Sequence, residues 1–122
     1  NRCRRQRQMC IRDSSSIVVS RSELKRKEWE PFRKQLKSIM PIGSVAYKLA
    51  LVSSGKYDIF ATIAPKNEWD ICAGDCLVNE AGGIFKTINN KKIIYNQKKT
   101  LVTDTIIATN SILFEEISDL LF

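Results

Sequence analysis

Residues 65–83 read PKNEWDICAGDCLVNEAGG, and this stretch decides the fold. A proline at its start, acidic residues in the first turn and two glycines at its end predict a helix from about residue 68 to residue 81. Asp70 lies in the first turn, where unpaired backbone N–H groups favour a carboxylate. Such a carboxylate can bind a hard cation, although complementing the helix dipole is its commoner role. Asp75 and Glu80 rotate away from Asp70 and are expected at the surface or in a cap.

The pattern around this helix alternates between short β-branched runs and helical spacing, which predicts an α/β domain. We expect Asn89-Asn90 to form a turn, Gly55 to end one helix and Asn110 to begin the last one. The predicted strands are residues 17–19, 57–63, 84–85, 93–95 and 106–108. The predicted helices are residues 24–38, half-exposed and interrupted near Pro31, followed by 45–54, 68–81 and 111–121.

A second group of candidate residues lies in Gly43-Ser44-Val45-Ala46-Tyr47-Lys48, at the start of a predicted buried helix. Free N–H groups at a helix start can receive a phosphate oxygen, and Gly43 would let a ligand approach the backbone. A Gly-Ser pair before a helix is more often a simple cap. Lys48 could reach an anionic ligand from one turn further along, or could be an ordinary solvated charge.

The charge of the 122-residue chain is concentrated at its start. The formal net charge is +7, but residues 1–14 hold five arginines against one acidic residue, Asp13, and the remainder carries a net charge of only +3. That segment also resembles translated sequencing-adapter read-through, so we predict that residues 1–14 are a non-native or disordered basic segment and that residues 15–122 form the domain. The remaining balance favours neither nucleic acid nor a membrane surface as a partner.

The four cysteines are Cys3, Cys10, Cys72 and Cys76, and the chain contains no histidine. Without paired CxxC motifs or histidines, a zinc site is not expected. Cys72 and Cys76 are one helical turn apart in an apolar stretch, which predicts two small buried side chains. Unpaired cysteines suit a reducing compartment, and we predict a cytoplasmic protein.

Two motifs in this sequence resemble the C-terminal half of the inositol monophosphatase superfamily. The first is Trp69-Asp70 followed by small residues and then Glu80-Ala81-Gly82-Gly83; the second is Gly43-Ser44-Val45-Ala46 before a helix that ends at Gly55, with Tyr57-Asp58 opening a strand. The likeness extends from about residue 17 to residue 122. It implies the C-terminal lobe of a layered α/β phosphatase sandwich, with a mixed sheet flanked by helices.

The resemblance implies a phosphomonoesterase in which Mg²⁺ ions bind the phosphate of a small metabolite and activate a water molecule. It implies Asp70 as a metal ligand and a substrate-facing loop at Gly43 and Ser44. Ser20 to Glu23, Lys48 and the segment before Asp70 look closer to the branch of 3'(2'),5'-bisphosphate nucleotidases, with inositol monophosphate as the rival substrate. The substrate-binding residues implied together are Ser20, Gly43, Ser44, Val45 and Lys48.

The other metal ligands of the superfamily lie in a Glu-Glu segment and an Asp-Pro-x-Asp-Gly-Thr motif, and neither occurs in this sequence. We therefore expect the chain to be a fragment that holds no complete catalytic set, is inactive alone and needs the N-terminal lobe of the same enzyme. The resemblance also allows a homodimer. The alternatives from other classes are a non-catalytic interaction protein and a basic nucleic-acid-binding module.

Overall fold

The computed structural model of the chain describes residues 16–32 and 38–109, together with Phe114, Ile117 and Asp119. The helices are α1 (Arg21–Lys25), α2 (Val45–Ser53) and α3 (Glu68–Glu80), with one 3-10 turn at Glu30–Phe32. The strands are β1 (Ser16–Val19), β2 (Ser38–Pro41), β3 (Ile59–Thr62), β4 (Lys66–Asn67), β5 (Ile84–Thr87), β6 (Leu101–Val102) and β7 (Ile106–Thr109).

Five of the strands form one mixed sheet in the order β2-β1-β3-β7-β5. β1 pairs in parallel with both β2 and β3, with Ile17 opposite Ile39 on one side and Ile59 on the other. β7 runs antiparallel to β3 and β5, and its Ala108 lies opposite both Phe60 and Phe85. β4 and β6 form a separate two-stranded sheet. The predicted α/β fold with a mixed sheet flanked by helices is confirmed.

The sheet is buried on both faces. Alternate residues of each strand point to opposite sides, so each strand contributes to two hydrophobic clusters. On one face Val18 and Phe60 pack with Leu49 of α2 and Ile71 of α3. On the other face a second cluster contains Ile17, Val19, Trp29, Ile59, Ala61, Ile107, Phe114 and Ile117. Burial on both faces explains why β1 and β7 are continuous apolar runs rather than alternating ones.

Helices α2 and α3 pack against each other on one face of the sheet. They come into close contact at Gly74, where an added Cβ would lie 2.8 Å from the Cβ of Leu49 and 2.9 Å from its Cγ. Both helices follow strands of the parallel set, α2 after β2 and α3 after β3 and the short strand β4. Both therefore begin at the edge of the sheet where the parallel strands end.

The predicted helix over residues 24–38 agrees at Leu24 and Lys25, the end of α1, and is wrong for the other residues that the structure describes. α1 ends at Lys25, Lys27 has a positive φ of 63°, and a 3-10 turn follows at Glu30–Phe32. Trp29 and Phe32 contact each other edge to face, with ring centroids 5.7 Å apart. A 3-10 turn also places residues three apart on one side, so this spacing resembled that of an α-helix. The strand β2 that follows was not predicted, and Leu36 lies outside the described residues.

The predicted strand at residues 93–95 is also wrong, because this segment belongs to neither sheet. Its side chains still alternate: Ile93 and Tyr95 are half-buried and Ile94 is 74% exposed. The short strands β4 and β6 were not predicted. The predicted closing helix agrees at Phe114, Ile117 and Asp119, which are helical, while Asn110 and the rest of 111–121 lie outside the described residues.

Helix α3 corrects two predictions about burial. Cys72 and Cys76 are free and exposed, because they lie on the side of α3 that faces away from the core. Asp75 is buried, since it lies next to Gly74 on the inner side. Glu80 is exposed as expected. Within the described part of the chain, no helix is both long enough and apolar enough to cross a membrane.

Candidate functional site

The residues singled out in the sequence lie at the edge of the sheet where the parallel strands β1, β2 and β3 end. Ser20 follows β1, Gly43 and Ser44 follow β2, and Asp70 lies in the first turn of α3 after β3 and β4. Ligands of α/β sheets commonly bind at such an edge. The starts of α2 and α3 add partial positive charge there, which favours an anion.

The loop before α2 has a strained backbone and a cationic neighbour. Ser44 has a φ of 67°, which is uncommon outside glycine, and its Oγ accepts a hydrogen bond of 3.2 Å from the Tyr47 N–H. The guanidinium of Arg21 lies against Gly43, about as close as ordinary contact allows: an added Cβ there would be 3.5 Å from Arg21 Cζ. Ser44 therefore acts as the N-cap of α2, the simpler of the two roles expected for the Gly-Ser pair. The Arg21 side chain adds a positive charge next to this loop.

Lys48 lies beneath this loop and is only 2% exposed. Its Nζ donates a 3.0 Å hydrogen bond to the carbonyl oxygen of Ile42 and lies 5.8 Å from the centroid of the Phe60 ring. The pKa of the ammonium is lowered to about 8, first by burial and then by the charges of Lys66 and Arg21, while Glu23 acts in the opposite direction. Lys48 therefore supports the loop from below rather than extending into solvent.

Glu23 is the most fully enclosed charged side chain of the site, with no exposed area. Its carboxylate accepts hydrogen bonds from Trp29 Nε1 at 3.1 Å, from the Thr62 hydroxyl, and from the N–H groups of Ile63 at 3.0 Å and Ala64 at 3.4 Å. The Nζ of Lys66 lies 3.9 Å away. The carboxylate thus joins α1 to the end of β3 and to the loop after it.

Asp70 has an exposed side chain at the start of α3. The other acidic residue of that turn, Glu68, is already engaged, because its carboxylate accepts hydrogen bonds from the N–H groups of Asn96 and Gln97. Among the described residues, no group of three or more acidic, cysteine or histidine side chains could hold a metal ion. The exposed Asp70 carboxylate could serve as one oxygen ligand of a divalent cation, and the described residues do not form a complete metal site.

Three residues of this edge were missed as individual site residues. The resemblance marks Arg21 and Glu23 only within the Ser20 to Glu23 stretch, and Lys66 only within the segment before Asp70. A charged residue directly after a buried β-branched strand was the available signal, because such a residue lies at the end of the sheet. Nothing in the sequence showed that Glu23 would be buried.

The sequence matches the profile of the inositol monophosphatase family over residues 5–120. The chain belongs to this family. Relatives of this chain are named as phosphatases or nucleotidases. The family is therefore one of enzymes that hydrolyse phosphate monoesters.

Curated relatives come from two branches of the family. The chain is 35% identical over 88 residues to the Golgi-resident adenosine 3',5'-bisphosphate 3'-phosphatase of Mus musculus, a match that covers 65% of this chain and 24% of that protein. It is 32% identical over 74 residues to the inositol-1-monophosphatase of Bacillus subtilis, covering 59% and 27%. The chain thus spans about a quarter of the length of these relatives.

Solved structures agree with the fold. The chain superposes on the IMPase of Thermotoga maritima with a TM-score of 0.71 and 26% identity, covering 91% of this chain and 41% of that one. It superposes on CysQ of Bacteroides thetaiotaomicron with a TM-score of 0.64 and 26% identity, covering 80% and 38%. The fold of the chain therefore follows that of solved members of the family over most of its length.

Proposed function

We propose that this chain supplies part of the substrate and metal site of a Mg²⁺-dependent phosphomonoesterase that acts on a small phosphorylated metabolite. The observation that carries the proposal is that Arg21 lies against Gly43 near the buried Lys48, at the same edge of the sheet where α3 begins with Asp70 in its first turn. An exposed carboxylate next to cationic groups and two helix starts suits a phosphate bound together with a divalent cation.

The residues divide the work by their chemistry. Asp70 would be one Mg²⁺ ligand, and Arg21 would bind phosphate oxygens through its guanidinium, whose planar donors match them. Lys48 holds the loop at Ile42 and adds positive charge beneath it. When bound, Mg²⁺ supplies charge neutralisation of the phosphoryl group and a more acidic water.

We propose a 3'(2'),5'-bisphosphate nucleotide as the substrate. The support is the number of cations at the edge. Arg21 and Lys66 both lie close enough to Lys48 for their charges to lower its pKa. A doubly phosphorylated ligand carries more negative charge than inositol monophosphate and gains more from such a cluster. The mouse relative and the CysQ relative of Aggregatibacter actinomycetemcomitans are named for bisphosphate nucleotides, whereas the Bacillus relative is named for inositol monophosphate.

We further propose that hydrolysis needs carboxylates from an N-terminal lobe, because among the described residues no group of three or more acidic, cysteine or histidine side chains could hold a metal ion. A cytoplasmic location is part of the same proposal, supported by the exposed free thiols of Cys72 and Cys76. Recovery of the protein in the cytosolic fraction of its source cells would test the location.

Calorimetry on the enzyme completed with its N-terminal lobe, in excess Mg²⁺, tests the site. We expect adenosine 3',5'-bisphosphate to bind more tightly than inositol 1-phosphate and to lose most of its Mg²⁺-dependent affinity in Asp70→Asn. The matched control is Glu80→Gln, at the other end of the same helix, which should bind as the wild type does. Equal binding by Asp70→Asn and the wild type would contradict the metal role. A preference for inositol 1-phosphate that Lys48→Ala leaves unchanged would contradict the nucleotide substrate.

A further inference from the structure

We propose that Glu23 is a positioning residue of this site. Its buried carboxylate holds the loop at residues 63–65 and Lys66 in place relative to Arg21, and so arranges the cations that receive the phosphate. This inference rests on the proposed function and adds to it a residue that touches neither the phosphate nor the metal. Three observations support it.

The first observation is that Glu23 places a carboxyl group in the interior, where packing alone would not need a polar side chain. A carboxylate without exposed area is destabilising unless hydrogen bonds compensate for the lost water. Here the Trp29 indole, the Thr62 hydroxyl and two backbone N–H groups provide that compensation. A leucine of similar volume would fill the same space without needing hydrogen-bond donors around it. The Glu23 carboxylate and its donors therefore do more than fill the core.

The second observation is the origin of the donors. Trp29 comes from the turn after α1, Thr62 ends β3, and the N–H groups of Ile63 and Ala64 belong to the loop that leads to β4. The same loop continues into Lys66, whose Nζ lies 3.9 Å from the Glu23 carboxylate, and then into the first turn of α3 with Asp70. One side chain therefore holds the segment that leads to the proposed metal ligand.

The third observation is the position of Arg21, which precedes Glu23 by two residues in the same five-residue helix. Its guanidinium lies against Gly43, at the start of the α2 loop. Glu23 thus connects the helix that carries Arg21 with the segment that carries Lys66 and Asp70. A shift of either segment would change the distances among the groups proposed to bind one ligand, and binding is sensitive to such shifts.

Asp58 provides a matched control, because it is also a buried carboxylate that joins β1 to β3. It is 8% exposed and accepts hydrogen bonds from the N–H and the hydroxyl of Ser16, where β1 begins. It therefore lies at the opposite edge of the sheet from Glu23. Asp58→Asn should weaken the fold in a comparable way without moving the candidate site.

The test compares Glu23→Gln, Asp58→Asn and wild type in the enzyme completed with its N-terminal lobe, with adenosine 3',5'-bisphosphate and excess Mg²⁺ as the probe. We expect Glu23→Gln to weaken binding by roughly tenfold or more, as the loss of an acceptor for buried donors implies, and Asp58→Asn to leave it unchanged. Charge alone predicts the opposite sign, because removing a carboxylate beside three cations should tighten anion binding. Unchanged or tighter binding by folded Glu23→Gln would overturn the proposal.

Thr62→Val keeps the test valid if Glu23→Gln does not fold, because it removes one donor and leaves the carboxylate. We expect severalfold weaker binding, and an unchanged affinity would count against the positioning role. Hydrogen exchange of the Ile63 and Ala64 amides separates this proposal from the proposed function. If wild type binds no probe, the proposed function fails, and faster exchange at these two amides in Glu23→Gln but not in Asp58→Asn still supports the positioning of the loop. Unchanged exchange there would overturn it.

Discussion

Gly74 controls how closely α2 and α3 approach, and substituting it gives a sharp test of this packing. In Gly74→Ala the new Cβ would lie 2.8 Å from the Cβ of Leu49 and 2.9 Å from its Cγ. Ordinary contact between carbon atoms is about 3.5 Å, so the helices must separate by roughly 0.7 Å. Turning the end of the Leu49 side chain does not relieve the contact with Leu49 Cβ, which is fixed to the backbone of α2.

Two opposing effects set the expected magnitude. Overpacking a well-packed contact costs about 1–3 kcal/mol, and replacing glycine by alanine within a helix returns up to about 1 kcal/mol. We therefore expect Gly74→Ala to lower the free energy of unfolding by about 1–2 kcal/mol. Urea denaturation followed by circular dichroism measures this change. Ala73→Gly, at an exposed neighbouring position of α3, calibrates the propensity effect and should cost about 0.5–1 kcal/mol.

A double-mutant cycle with Leu49→Ala identifies the cause. Leu49→Ala alone should cost about 2–5 kcal/mol, because Leu49 is fully buried. It also removes the Cδ1 and Cγ that the new methyl would meet but leaves the Cβ in place. Gly74→Ala should therefore cost less in this background without becoming free of cost, with a coupling of about 1 kcal/mol. If the two effects add within about 0.5 kcal/mol, or if Gly74→Ala alone is stabilising, the close approach does not limit the packing as argued.

Two further predictions concern buried polar groups. The pKa of Lys48 is lowered from 10.5 to about 8, so between these pH values the unfolded chain binds more protons than the folded one, and stability should rise by on the order of 1 kcal/mol per pH unit. Lys48→Met should lose this dependence on pH. Thermal melts of both proteins across this pH range measure it, and an identical slope for the two would show that the reasoning is wrong. Tyr95→Phe removes the hydroxyl that donates to the Asp75 carboxylate and should lower the free energy of unfolding, measured by urea denaturation, by about 1.5–3 kcal/mol. The control Tyr47→Phe, at an exposed position, should change it by less than about 0.5 kcal/mol. Equal effects of the two substitutions would argue against the hydrogen bond to Asp75.

Several elements could be predicted from the sequence because their signals are local. The β-branched run at β1, the spacing of Leu49 and Val52 in α2 and the acidic start and glycine end of α3 all describe single segments. Gly74 is a further local signal, since a glycine inside a helix usually has a packing reason. The two motifs that contain Gly43 and Asp70 identified the family, which the profile match confirmed.

The failures occurred where a neighbouring segment decides the outcome. Residues 93–95 alternate like a strand, but they lie along α3, where Tyr95 donates to Asp75 and Glu68 receives the following N–H groups. The spacing of Trp29 and Phe32 resembled an α-helix, but Trp29 is directed into the core and toward Glu23. Periodicity reports which residues share a side and not which partner that side will meet.

The sequence by itself determined the family, the α/β fold class and the expectation that Asp70 and the Gly43-Ser44 loop belong to one site. Only the tertiary structure decided that Glu23 is buried among donors from three segments, that Lys48 supports the loop from beneath, and that Arg21 lies against Gly43. The reason is physical: burial and pKa depend on groups that are distant in sequence, and Glu23 meets Thr62 across 39 residues of chain.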